Sequence, residues 1–211
     1  SWEMNGRFYG GFWQQIGKQH RREIYINGSL TIEVDYKGLH AAILSVDHGH
    51  NSSEDRYDLG ELILPGFDRK QQRAIVKGLI LTAINAATIK SAFSAFRASQ
   101  PNGTPEKRLK DKELRLLLEA FIKKYPYLEE HLCSDKGIEL MYVDSKITAK
   151  VINQFTQLNK PILSIHDSYI ISTMDTELLH QAMTRASKEV VSAVLAVEQE
   201  IAPVGIIGNA P

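Results

Sequence analysis

Two acidic residues stand where they could hold a cation. Asp35 closes the run Leu30-Thr31-Ile32-Glu33-Val34-Asp35, and Asp167 lies between two short apolar runs in Ile165-His166-Asp167-Ser168. The alternation of β-branched residues predicts a strand ending at Asp35, and residues 162–172 predict a hairpin with Asp167 at its tip. On neighbouring strands of one sheet, both carboxylates would meet at one edge, and two hard oxygen donors there suit Mg²⁺. A pair of such ions would activate an attacking hydroxyl and stabilise the leaving oxygen of an in-line phosphoryl displacement. Taken singly, either Asp is more often a turn residue or a cap. A second feature is basic. Arg73, Lys77 and Leu81 recur every fourth residue, with Asn85 at the edge of the same face. An Arg fork and a Lys point charge one turn apart could grip a triphosphate, although an exposed basic pair is the plainer explanation.

The elements that must position these groups follow from local signals. Residues 1–28 mix glycines with aromatics and predict turns or short strands, ending at the Asn27-Gly28 turn. Residues 39–46 predict a short helix and residues 47–60 a loop. Asp68 followed by Gln71 is a capping box that opens a long helix to about Ala98. Residues 99–105 break it, a second helix spans about 107–124, and Pro126 ends or kinks that one. Asp144-Ser145 is expected to cap a third helix through Leu158. After the hairpin, Asp175 caps a helix marked by Leu179, Met183, Val190, Val194, Val197 and Ile201. Strand, helical excursion, hairpin and helix in that order describe an α+β fold with an interrupted antiparallel sheet.

Composition narrows the function classes. The 211 residues, 43% of them hydrophobic, suit one compact domain or a core with a small subdomain. No apolar run approaches the roughly 20 residues of a membrane span, so no membrane partner is expected. The first residues have neither the charge nor the apolar stretch of a signal peptide, and a start at Ser1 suggests a trimmed or partial chain. One cysteine, Cys133, cannot form an internal disulfide and fits a reducing, cytoplasmic setting. Net charge is zero, yet residues 69–112 hold ten Lys/Arg against Glu106 and Asp111 alone. Such a basic arm beside acidic residues suits an enzyme that handles phosphates and cations, or simply a solvated helix face. His48-Gly49-His50 offers two imidazoles, but no third ligand stands at sensible spacing, so it reads as a loop. The aromatics Phe8, Tyr9, Phe12 and Trp13 read as core or interface before base-stacking groups.

Four segments, in order, resemble the single-subunit nucleic-acid polymerases, which comprise family A DNA polymerases and phage-type RNA polymerases. Val34-Asp35-Tyr36-Lys37-Gly38-Leu39-His40 is similar to motif A. Arg73-Ala74-Ile75-Val76-Lys77 with Asn85-Ala86 is similar to motif B. Ile165-His166-Asp167-Ser168 is similar to motif C, in the form of the RNA polymerase branch. Glu3-Met4-Asn5-Gly6-Arg7 is similar to the segment that contacts the template–primer hybrid. The resemblance implies palm regions at 1–60 and 141–211 and reduced helical fingers at 61–140. It implies template-directed nucleotidyl transfer with two Mg²⁺ ions on Asp35 and Asp167, Mn²⁺ able to substitute. Arg73 and Lys77 would hold the nucleoside triphosphate, and Lys77 would protonate the leaving pyrophosphate. Arg7 and His166 would contact the nucleic-acid template and primer. His40 would gate the ribose 2′ position and so favour DNA synthesis, or else simply pack at a helix start. Asn85-Ala86 replaces the motif's Tyr-Gly, and Lys37 replaces a small residue. Thumb function is expected from a separate domain or chain. A role in DNA replication, in a host's cytoplasm for a phage-encoded chain, would follow.

Overall fold

A computed structural model describes residues 4–50 and 55–199. The chain runs α1 (Phe12–Gln15), α2 (Lys18–Arg21), β1 (Tyr25–Ile26), β2 (Ser29–Tyr36), α3 (Leu39–Asp47), α4 (Arg69–Ile84), α5 (Ile89–Ser99) and α6 (Asp111–Lys124). It continues through α7 (Gly137–Gln157), β3 (Leu163–Ile165), β4 (Ser168–Ser172), α8 (Thr176–Val191) and β5 (Val197–Gln199). Short 3₁₀ turns occupy Glu106–Arg108, Pro126–His131 and Thr173–Asp175. The fold is α+β, as the order of elements predicts. Two compact units are formed, one by Ser1–Leu39 with Met141–Pro211 and the other by His40–Leu140.

In the first unit every strand pairing is antiparallel, in the order β1-β2-β4-β3, with β5 also on β2. Asn27 and Gly28 both take positive φ between β1 and β2, the backbone that a two-residue hairpin turn matching strand twist requires. Period-2 alternation then sorts β2 by face. Val34 and Tyr36 are buried with Tyr169 and Ile171 of β4. The Tyr36 hydroxyl donates to the Met183 carbonyl of α8 at 2.7 Å, and the Tyr169 hydroxyl lies 3.0 Å from Thr148 Oγ1 of α7. Those bonds satisfy two phenols that burial makes costly, and burial raises both pKa values above the ordinary tyrosine range. Glu33 and Asp35 alternate to the other face, where Glu33 accepts two bonds of 3.0 Å from the Arg21 guanidinium and one from Ser168 Oγ.

In the second unit the capping box of Asp68 and Gln71 is present and starts α4. Gln72, buried in the first turn, accepts from the Ile63 and Leu64 amides and donates to the Glu61 carbonyl, which ties the connection to the helix. The long helix expected to Ala98 is two helices. Asn85 caps α4, and Thr88 opens α5 through its own capping box with Ser91. Its hydroxyl competes for the backbone that a continuous helix would need. Thr88→Ala should remove this cap and cost about 1 kcal/mol, read as a fall in Tm of roughly 2–4 °C for a chain of this size.

Four other expectations change. The N-terminal segment forms two short helices and not only turns. The helix expected from Lys107 begins at Asp111, after a 3₁₀ turn. The last helix ends at Val191, where Ser192 takes a left-handed φ of 57°. Val197 lies instead in β5, and Ile201 lies outside the described residues. Finally, α7 starts at Gly137, so Asp144 stands inside the helix and does not cap it. Among the described residues no helix is long and apolar enough to cross a membrane.

Candidate active site

The pairing of β2 with β4 brings the two candidate metal carboxylates to neighbouring chain segments. Asp35 is in register with Ser168, and the Tyr36 amide donates to the Asp167 carbonyl at 3.1 Å. Asp167 is the second residue of a two-residue turn between β3 and β4. His166, the first, has φ 52°, a left-handed conformation that few non-glycine residues adopt, though His does so more often than most. Two hydroxyls hold the turn in place. Ser168 Oγ donates to the Ile165 carbonyl at 3.1 Å, and Thr148 Oγ1 to the His166 carbonyl at 3.3 Å. Backbone strain of this sort persists where surrounding bonds over-determine it.

A third carboxylate, Asp144, feels the charge of Asp167. Asp144 of α7 is 1% exposed, and its Oδ2 accepts from Arg7 Nε at 2.6 Å. Gly6 makes that contact possible. Its φ of 99° and its closeness to the Ser145 side chain leave no room for a Cβ, so the chain can lie against α7 with Arg7 opposite Asp144. Burial pushes the Asp144 pKa from 3.8 up to about 6. Arg7 opposes that shift, while the nearby charge of Asp167 adds to it. His166 is affected in the opposite sense. Burial first, and the Arg7 charge second, lower its pKa, with Asp167 opposing. Its ring meets Tyr9 edge-on, with centroids 5.6 Å apart.

The residues assigned to the nucleoside triphosphate, Arg73, Lys77, His40 and Asn85, belong to the second unit. Arg73 and Lys77 share a face of α4, one turn apart. Arg73 Nε is 2.6 Å from Asp55 Oδ2, a pair more than a third exposed on both sides. Both residues are partly buried, with Ile75, Val76, Leu79 and Ile80 forming the core side of the helix. His40, in the first turn of α3, is 7% exposed. Asn85 spends its amide on the Leu81 carbonyl at 2.7 Å. A Cβ on Gly137 would overlap the Asn85 side chain, so the start of α7 abuts the C-terminus of α4. Glu3 lies outside the described residues.

The Asp144–Arg7 pair is what sequence reasoning missed. A signal was present, because Leu140, Ile147, Val151 and Phe155 recur at helical spacing and are buried, and Asp144 falls on the same stripe. The cap preference of an Asp-Ser pair concealed it. A charged residue within a buried stripe is expected to be paired.

No protein-family model and no curated protein matches the chain. Among solved structures it is similar to the POL domain of Pol1 from M. smegmatis, determined in complex with DNA primer-template and dNTP. The likeness has a TM-score of 0.51 at 9% identity and covers 83% of this chain. The chain spans 40% of the length of that structure. At such identity the likeness establishes a shared fold: an antiparallel sheet with helices, similar to that of a polymerase domain.

Proposed function

We propose that the chain performs template-directed nucleotidyl transfer, extending a nucleic-acid 3′-hydroxyl with nucleoside triphosphates, with DNA synthesis favoured. The observation that carries this is the β2–β4 pairing, which puts Asp35 beside the Asp167 turn in a fold similar to a polymerase domain. The donor types fit the ions such chemistry needs: two carboxylates on adjoining backbone segments are hard ligands suited to two Mg²⁺, or to Mn²⁺ in their place. When bound there, such ions favour the ionised attacking hydroxyl and neutralise charge on the leaving oxygen.

The chain's own residues supply the rest. The 3′-hydroxyl releases its proton to solvent as its oxygen bonds to the α-phosphorus, the bond between the α-phosphorus and its bridging oxygen breaks, and pyrophosphate leaves. Arg73 offers a planar fork and Lys77 a point charge to the triphosphate, and Lys77 gives the departing pyrophosphate its proton. Arg7, oriented by Asp144, binds the template–primer hybrid together with His166. His40 is the group assigned to sugar choice. Catalysis of this kind is positioning and charge stabilisation. In this assignment residues 1–60 and 141–211 are the palm and 61–140 the reduced fingers, with thumb function supplied by another domain or chain. Residues 40–60 are grouped with the second compact unit.

The test is primer extension on DNA and RNA templates with Mg²⁺ or Mn²⁺ and either dNTPs or rNTPs. Templated lengthening of the primer is expected. Primer–template binding without any extension would instead favour a second function, a palm that binds nucleic acid or a partner without catalysis. Asn85 favours that alternative, because a side chain committed to capping α4 cannot stack on a nascent base pair.

Arg73→Ala and Lys77→Ala should each raise KM for the nucleotide by roughly 10-fold, on the scale of one lost charge-assisted contact, and Lys77→Ala should also lower kcat by about 10²-fold or more, because it removes the proton donor to pyrophosphate. Stability should hardly move for Arg73→Ala, since exposed ion pairs contribute about 0–1 kcal/mol. Steady-state kinetics beside a thermal melt would check both halves.

A further inference from the structure

His48, set aside with His50 for want of a third ligand, meets two other candidate ligands in the folded chain. His48 follows α3, and His131 ends the 3₁₀ segment Pro126–His131, with Glu130 before it. All three belong to the second unit. His48 Nε2 lies 2.8 Å from His131 Nε2, and Glu130 Oε1 lies 3.7 Å and 3.5 Å from those two nitrogens. One ligand atom from each residue lies within 4.8 Å of the others. A tetrahedral cation with bonds of about 2.0–2.1 Å needs ligand atoms roughly 3.3 Å apart. The three spacings bracket that figure.

The surroundings hold the ligands where they are. Tyr127, in the same 3₁₀ segment, stacks on His50 with ring centroids 3.8 Å apart and planes 11° apart. Its hydroxyl donates to Ser45 Oγ of α3 at 3.3 Å. The loop after α3 is thus packed against the segment that carries Glu130 and His131 before any ion arrives, which lowers the ordering cost of binding.

We propose that His48, His131 and Glu130 form a binding site for a divalent transition cation of the zinc class, which staples the loop after α3 to the Pro126–His131 segment. Two imidazoles and one carboxylate are the ligand set of a three-residue zinc site with a water in the fourth position. Imidazole donors select such an ion over Mg²⁺, which prefers oxygen ligands. A cross-link between residues 48 and 131 closes a long loop, the case in which a clip stabilises most. This site is chemically separate from Asp35 and Asp167 and stands whether or not the chain is a polymerase.

The experiment uses tag-free chain carrying Asp167→Asn, so that the paired carboxylates do not contribute. Zn²⁺ is titrated calorimetrically in excess Mg²⁺, and Co²⁺ is used as the spectroscopic probe. One equivalent of Zn²⁺ should bind, with the ligand-field bands of four-coordinate Co²⁺, and Zn²⁺ should raise Tm. In the same background His131→Gln and the more exposed His48→Gln should each weaken binding by more than about 10-fold and remove the Tm rise. His50→Ala should keep the one-to-one stoichiometry. No Zn²⁺ uptake in excess Mg²⁺, or uptake unchanged by His48→Gln, would overturn the proposal.

Discussion

Asp167→Asn is expected to abolish templated primer extension while leaving the fold intact. The substitution keeps the side-chain volume and removes the charge. Removing one charge-stabilising group from a preorganised site lowers kcat by at least about 10²-fold. The turn itself is held by the Ile165–Ser168 register and by the hydroxyls of Ser168 and Thr148, bonds that do not use the Asp167 carboxylate. Circular dichroism should therefore stay close to the parent's. Primer–template affinity should also persist, because Arg7 keeps its partner in Asp144. A variant that extends primers at the parental rate would refute the assignment of the metal carboxylates, even if the chain proved to be a polymerase.

Asp144→Asn should show a pH-dependent stability difference and a separate loss of nucleic-acid affinity. Burial leads the forces that raise the Asp144 pKa from 3.8 to about 6, so between those two values the folded chain holds a proton that the unfolded chain has released. The sign follows by linkage. Stability from this group is fully present below about pH 4 and is lost as pH rises through about 6. With the side chain 1% exposed, screening by solvent is small, and the gap corresponds to about 3 kcal/mol. Asparagine cannot titrate. The parent's Tm relative to Asp144→Asn should thus fall by roughly 6–12 °C across that window and then level off. Thermal melts of both proteins from pH 4 to pH 8 would check it, and a flat difference would mean that Asp144 is ionised throughout. Above pH 6 the variant should bind primer–template more weakly, since Arg7 has lost the carboxylate that orients it, with kcat changed less than KM.

Together these two expectations describe a familiar trade. A buried ion pair stabilises little once desolvation is counted, but losing one partner leaves the other charge unplaced. In the proposed function Asp144 acts through Arg7, as a positioning residue. Its cost in stability above pH 6 is the counterpart of holding Arg7 near the Asp167 turn.

Much of this was legible from the chain alone. The alternation around Glu33, the Asn27-Gly28 turn, the capping box at Asp68 and the hairpin with Asp167 at its tip are local signals, and each forms as read. They depend on backbone sterics and on hydrogen bonds between residues no more than a few positions apart, which neighbouring residue types determine. Errors arose where two local signals competed. Thr88 divided a helix that apolar spacing alone would have continued. An Asp-Ser pair that looked like a cap fell within a longer buried stripe, and burial of that stripe prevailed.

What the amino-acid order determined by itself, then, was the α+β class, the elements that carry Asp35 and Asp167, and the shared helical face of Arg73 and Lys77. Which distant groups meet was decided only by the tertiary structure. Asp144 finds Arg7 137 positions away, and His48 finds His131 83 positions away. No spacing rule links such residues, because their approach is set by how whole helices and strands pack. The energy of that packing is shared among dozens of buried side chains, none of which carries the information alone.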